Sequence, residues 1–511
     1  MKRRSQAGIS ALIGALVLGG GYIGADGADI VPGFFTFDKP LPRVQPFPTP
    51  KAVSPAPNEA PQFESVSDLD PDFFKKLTKS FTSDYRMKDA KVSWWIGDLK
   101  GIELASANPE LALSSASTTK LLTAAAALHD FGSEARARTL VAWDEKTRRL
   151  FLIGGGDILL GTGADSSKDV FGYAGLGTLA ADTVKALTAD SKNALADAPF
   201  TLVVDTSWFG EEIISNAWRP QDVQWVGPIQ GLGIDTGLIE RGKAGYLDDA
   251  AGRVGEIFAA RLGEAGAAPA KVEAGNSGLA TTEFLDPAQP LPELVKGKEV
   301  SSAKGQPVVV ALSEGSPFSQ VARDMLKVSD NTLAENFGRL VALHRGAKPT
   351  FAAAGQEVMK AVEELGVKLG ETKLAGCSGL AHGTRIPARV LADVVRTAAS
   401  PDHPELRPLL ANLPVAGADG TLKDSYGNTA AAGNLRGKTG TLSVSNSLAG
   451  TLVYHNQVLA YALVISGYTE GNSGQTIPAK QLFFAGLLGG KTDFSPTNPA
   501  ATTTPSPSSS S

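Results

Sequence analysis

Apolar residues alternate with short polar breaks along most of the chain, and their spacing separates strands from helices. Residues 92–99, rich in apolar and aromatic side chains and closed by Lys100-Gly101, predict a strand and a turn. An alanine-rich stretch at 121–129 predicts a buried helix. Residues 139–153 read as a hairpin turning near Asp144-Glu145-Lys146. At 318–328 and 332–344 apolar positions recur every three to four residues, the period of an amphipathic helix. Residues 445–454 and 458–468 predict paired strands joined at His455-Asn456-Gln457, followed by a closing helix at 475–488. No internal repeat interrupts this order.

Both ends differ from the middle. Met1-Lys2-Arg3-Arg4 precedes an apolar run over 7–25, which reads as an export signal. Its length suits a signal peptide or a single membrane anchor equally, and either places the rest of the chain outside the cytoplasm. Residues 26–66 are proline-rich and predict an extended linker, while 492–511 form a Ser/Thr/Pro tail expected to be disordered.

At 511 residues the chain is long enough for two or three domains. The net charge of −5, with no internal basic cluster, argues against nucleic acid as a partner. A single cysteine, Cys377, excludes an intramolecular disulfide. The five histidines show no metal-ligand spacing, and no GxSxG elbow exists, so neither a metal centre nor a Ser-His-Asp hydrolase is indicated. No cofactor is called for.

Three short motifs, in order, carry the chemistry. Ser117-Thr118-Thr119-Lys120 is an S-x-x-K at a helix start, where positions three apart share a face and a desolvated lysine can take the serine proton. A second S-x-x-K at Ser301-Ser302-Ala303-Lys304 lies in a polar stretch without a following helix. Ser329-Asp330-Asn331 is an S-x-N between the two amphipathic helices. Lys438-Thr439-Gly440-Thr441 contains the single K-T-G, where a lysine and hydroxyls on a strand edge can hold a carboxylate. Its glycine would let the substrate backbone approach.

Together these motifs resemble the signature of penicillin-binding proteins and class A β-lactamases. The surrounding sequence resembles one branch, the D-Ala-D-Ala carboxypeptidase/endopeptidase family of class C low-molecular-mass penicillin-binding proteins. Gly154-Gly155-Gly156-Asp157 is similar to that family's G-G-D turn, and 413–422 to its L-P-V-A-G-x-D-G-T-L stretch. The family's D-G-S-G-L-S is replaced by Gly376-Cys377-Ser378-Gly379-Leu380-Ala381, so an altered loop shape or altered substrate contacts are expected there. Cys377 is expected to be a small buried hydrophobe, His382 a surface residue, and Asp419 to order the loop before the third motif.

The resemblance implies an α/β penicillin-binding transpeptidase/β-lactamase-like fold: an antiparallel sheet flanked by helices, with one or two inserted domains. The long span between Ser117 and Ser329 puts the insertion at 141–305 and the catalytic domain at 67–140 plus 306–491. The implied activity is hydrolysis of D-Ala-D-Ala in peptidoglycan stem peptides, with β-lactams as covalent inhibitors. Ser117 is the implied nucleophile, Lys120 its base with a pKa depressed by nearby Lys438, and Ser329 the proton relay. Asn331 would bind the substrate peptide; Lys438, Thr439 and Thr441 would fix its carboxylate; the N–H groups of Ser117 and Thr441 would form the oxyanion hole. A β-lactamase is disfavoured because no E-x-x-L-N segment is found. The alternative of another class is a non-catalytic wall-binding or β-lactam-sensing protein.

Overall fold

The computed structural model describes residues 69–489 apart from 167, 190–191, 196–197, 241–244, 280, 297–305 and 469–472. The leader over 1–66, the second S-x-x-K at Ser301 and the tail over 492–511 lie outside the described residues. Among the described residues, no helix is long and apolar enough to cross a membrane.

Two five-stranded sheets organise the molecule. The first joins β1 (Lys91–Asp98) and β2 (Glu103–Ala107) to three strands from the far end of the chain, β8 (Leu435–Leu442), β9 (Ser445–Tyr454) and β10 (Gln457–Ser466). Its order is β8-β9-β10-β1-β2, antiparallel throughout, with β8 on the edge. Side chains alternate between faces along a strand. Trp94 and Ile96 therefore meet helices α1 (Pro71–Thr82) and α9 (Ser473–Leu488), where Trp94 packs edge-on to Phe483 at 4.9 Å. Trp95 and the alanines 449, 460 and 462 face the other way. Their small size lets helix α8 (Ala388–Ala399) lie close to the sheet.

On that second face a helical layer is built from α2 (Lys120–Phe131), α5 (Phe318–Val328), α6 (Asn331–His344), α7 (Phe351–Glu364) and α8. Helix α2 is buried on nearly every side, as its alanine-rich, all-round apolar sequence requires.

The second sheet comes from the chain between Ser117 and Ser329: β3 (Arg136–Asp144), β4 (Arg149–Gly155), β5 (Thr201–Asp205), β6 (Lys271–Ala274) and β7 (Val308–Pro317), in the order β6-β5-β4-β3-β7. The β3–β4 hairpin is antiparallel, as the sequence predicts, while β4, β5 and β6 run parallel. Leu140 and Ala142 join the helical core. Val141 and Trp143 face instead a separate core covered by α3 (Leu176–Ala186) and α4 (Ala250–Glu264). The boundary expected at 140/141 thus falls inside β3, and β3 and β7 pair with each other. The second sheet spans 136–317.

Candidate active site

Ser117 sits in one tight 3-10 turn, Ala116–Thr119, immediately ahead of α2 rather than inside it. Ala116 is held at φ 46°, a left-handed conformation that costs a non-glycine residue on the order of 1–2 kcal/mol. Hydroxyl groups secure it: Thr118 Oγ1 donates to the Ser115 carbonyl at 2.7 Å, and Thr119 Oγ1 to that of Ala116 at 2.8 Å. From the adjacent sheet, Ser447 Oγ donates to the Ser115 carbonyl at 2.6 Å.

Lys120 is completely buried, and its Nζ lies 3.0 Å from Ser117 Oγ, 2.7 Å from Asn331 Oδ1 and 2.9 Å from the Ser378 carbonyl. Burial lowers its pKa to about 7, partly opposed by Asp330 and Glu335. Of the two causes the sequence suggests, desolvation and the neighbouring Lys438, burial is the one that acts on Lys120. Lys438 is itself pushed well below the ordinary ammonium value, by burial first and by Lys120 second.

Ser329 caps the C-terminus of α5 in the left-handed region, φ 65°. Asp330 then caps α6 by accepting the Leu333 N–H at 2.8 Å, so the S-x-N motif is the corner between two helices. Asn331 turns its oxygen to Lys120 and donates Nδ2 to the Trp225 carbonyl at 2.9 Å. Together with the Gly227 N–H, which donates to Thr332 Oγ1 at 2.9 Å, this ties the chain of the second sheet to the motif.

The third motif occupies the edge strand β8. Lys438 points inward and donates to the Thr439 carbonyl at 2.9 Å, while Thr439 Oγ1 lies 2.7 Å from Thr421 Oγ1. A Cβ on Gly440 would stand 2.3 Å from Ser447 Oγ and 2.9 Å from the Ser117 nitrogen. The glycine thus lets the nucleophile's own turn pack against the strand. Ser117, Ser329, Thr439 and Thr441 line one cavity of about 350 Å³. Lys120, Asn331 and Lys438 support its walls from behind and do not line it.

The divergent loop at 376–381 holds Lys120 through the Ser378 carbonyl. Glu335, buried on α6, accepts the N–H groups of Cys377 at 3.0 Å and Ser378 at 2.9 Å, and Ser378 Oγ at 2.6 Å. A Cβ on Gly376 would lie 2.9 Å from Glu335 Oε1, so the carboxylate serving this loop is Glu335. Cys377 is fully buried, as expected, in space left by Gly338, whose Cβ would fall 2.1 Å from its Sγ. Asp419 does order the loop before β8, accepting from the Val415 N–H at 2.9 Å and from Lys327 Nζ at 2.5 Å. His382 is exposed.

Gly379 is the tightest point. At φ +83° its Cβ would lie 1.9 Å from the Ala116 carbonyl oxygen. Gly379→Ala must therefore push the nucleophile's turn, and a displacement near 1 Å costs about a hundredfold in reactivity. Burst kinetics with a chromogenic cephalosporin should show acylation slowed by that factor; an unchanged burst rate would mean the turn can yield freely.

Sequence reasoning missed Glu335, Trp225, Lys480 and Tyr426. Lys480 and Tyr426 line the same cavity as Ser117. None of the four belongs to a short motif, and the one signal available is the charge of Lys480 in the apolar helix α9.

Comparison with known proteins identifies relatives over most of the chain. The sequence profile of the D-Ala-D-Ala carboxypeptidase 3 (S13) family matches residues 75–264 and 293–484. Carboxypeptidase Rv3627c of Mycobacterium tuberculosis is 30% identical over 405 residues, covering 76% of this chain and 79% of the relative. Carboxypeptidase DacB of Mycolicibacterium smegmatis is 30% identical over 391 residues, covering 74% and 76%. Among solved structures, penicillin binding protein 4 of Haemophilus influenzae superposes with a TM-score of 0.60 at 18% identity, covering 81% of this chain and 98% of that one.

Proposed function

The chain belongs to the D-Ala-D-Ala carboxypeptidase 3 (S13) family and is a serine-type D-Ala-D-Ala carboxypeptidase; from that premise we propose that Ser117 is its nucleophile and Lys120 the base. The carrying observation is the set of three partners around Lys120 Nζ. A neutral amine has two N–H groups and one lone pair. Asn331 Oδ1 and the Ser378 carbonyl are acceptors only, and the Asn331 amide is oriented by its bond to Trp225. They take both N–H groups, which leaves the lone pair for the Ser117 hydroxyl 3.0 Å away.

On this reading Ser117 Oγ attacks the carbonyl of the penultimate D-Ala as its proton passes to Lys120. Ser329, across the cavity, returns a proton to the departing amine. Thr439 and Thr441 hold the terminal carboxylate, with Lys438 behind them. The N–H groups of Ser117 and Thr441 receive the developing oxyanion, a contribution of about 3 kcal/mol per donor in comparable sites. Water then releases the acyl-enzyme. A β-lactam would acylate the same serine, as expected for this constellation; a β-lactam complex is known for the Haemophilus influenzae protein. The segment 136–317 acts as an inserted domain that buttresses Asn331 through Trp225. Peptidoglycan stem peptides as substrate, and the basic and apolar start of the chain, put the enzyme's work outside the cytoplasm.

The test is the pH profile of D-Ala release from an acyl-D-Ala-D-Ala peptide. Because the neutral amine is the active form, kcat/KM should rise about tenfold per pH unit below about pH 7 and level off above it. Release that falls as pH rises through 7 would rule out Lys120 as the base, and no release at any pH would remove the proposed site.

A further inference from the structure

We propose that Glu335 is a positioning residue of the reaction, acting through the Ser378 carbonyl on the amine of Lys120. The proposal rests on the reading of Lys120 as the base and adds a residue outside the three motifs.

Helix α6 sets both acceptors that meet the N–H groups of Lys120. Asn331 and Glu335 lie four residues apart on it and so share one face. Asn331 reaches Lys120 Nζ directly, at 2.7 Å. Glu335 reaches it through the 376–381 loop. Its Oε1 accepts the Ser378 N–H at 2.9 Å and the Ser378 hydroxyl at 2.6 Å, and its Oε2 accepts the Cys377 N–H at 3.0 Å. With their N–H groups turned to α6, the same two residues turn their carbonyls to α2. The Cys377 carbonyl accepts from Thr123 Oγ1 at 2.6 Å, and that of Ser378 from Lys120 Nζ at 2.9 Å. Two consecutive peptides thus bridge the carboxylate to the base.

Glu335 is 1% exposed, and a buried charge is costly unless hydrogen bonds or opposite charges repay it. Its three bonds above all go to Cys377 and Ser378. A glutamine in its place would set an N–H group against the Cys377 N–H, or against the Ser378 N–H if the amide turned over. Donor would then face donor, and the loop would have to shift.

Charge adds to position. The charged groups facing Lys120 are Asp330 and Glu335 from the start of α6 and Lys438 from β8. Glu335 is itself faced by Arg339, one turn further along α6, and by the buried thiol of Cys377. A negative Glu335 favours the protonated amine and opposes the burial that lowers its pKa. Loss of Glu335 should therefore have two separable effects. The amine is misplaced, and it gives up its proton at lower pH.

The experiment follows D-Ala release from an acyl-D-Ala-D-Ala peptide against pH for the full chain, Glu335→Gln and Glu335→Asp, each checked for folding by circular dichroism. In Glu335→Gln the plateau of kcat/KM above about pH 7 should fall about ten- to hundredfold, the cost of displacing a reacting group by up to about 1 Å. Its acid limb should move to lower pH by about half a unit or more, because one negative charge near the amine is gone. Glu335→Asp keeps the charge on a shorter arm, so its limb should stay within about 0.2 of a unit while the plateau falls about tenfold. A merely structural defect would lower the plateau without moving the limb. A Glu335→Gln limb that stays put or moves up, or a plateau within about twofold of the unaltered chain, would overturn the proposal. Should Glu335→Gln not fold, Glu335→Asp decides, and a plateau equal to that of the unaltered chain would overturn it. If the unaltered chain shows no rise near pH 7, the base assignment fails and this proposal with it. An intact rise with an unmoved Glu335→Gln limb sinks this proposal alone.

Discussion

Ser117→Ala should leave a folded protein that forms no covalent adduct with penicillin and releases D-Ala at least about ten-thousand-fold more slowly. The hydroxyl is half-buried at the cavity wall, and the turn that presents it is held by Thr118, Thr119 and Ser447 rather than by Ser117 itself. Its loss therefore removes the attacking atom without loosening the turn. Intact-mass measurement after penicillin treatment, with Ser301→Ala in parallel, checks this. One adduct in the unaltered chain and in Ser301→Ala, absent from Ser117→Ala, is the expected pattern. An adduct that survives Ser117→Ala would place the nucleophile elsewhere, and no adduct in any folded form would favour a wall-binding role.

Lys120→Met should be nearly as damaging. Methionine fills much of the same volume but can neither accept the Ser117 proton nor donate to Asn331 and Ser378. General-base catalysis of this kind contributes about a hundred- to ten-thousand-fold, and the loss should fall at the upper end because no other base lies beside Ser117 Oγ among the described residues. The residual rate should also lose its rise near pH 7, a change that a merely structural defect would not produce. Thermal stability should change little. The two orphaned acceptors cost about 1–3 kcal/mol each, while removal of a buried amine works in the opposite direction. A variant that keeps the full pH profile would exclude Lys120 as the titrating group.

The parts of the site visible in the sequence are those whose partners lie within three residues of one another. Ser117 with Lys120, the Ser329–Asn331 corner and the Lys438–Thr441 strand each place their chemistry by local geometry, so each could be read without the fold. The β9–β10 hairpin and helices α5 and α6 were equally legible from their periodicity. What the pattern did not reveal depends on contacts between distant segments. Glu335 looks like an ordinary helix-surface acid until the 376–381 loop folds over it. Gly338 reads as a weak point in α6, although it is the space that Cys377 occupies. The closeness of Gly440 to the Ser117 turn is invisible in the sequence because that turn arrives from more than three hundred residues away. Lys480 lies in an apolar helix with no motif around it, and its place in the wall depends on the cavity that β8 and the 421–426 loop create.

The pairing of β1 with β10, Trp94 opposite Leu463, has a consequence for the order in which this molecule is made. The pair closes a loop of most of the chain, and non-local contacts of this kind are slow to form. While the protein emerges from its N-terminus, β1 has only β2 beside it, and a lone two-stranded hairpin is marginally stable in water. The turn carrying Ser117 hangs from Ser447, and Lys438 arrives after the whole helical layer, whose last member ends at Ala399. A chain halted anywhere before residue 466 thus lacks a full central sheet and a finished site. A D-Ala-D-Ala carboxypeptidase built in this way has no finished site until its last strands have been made.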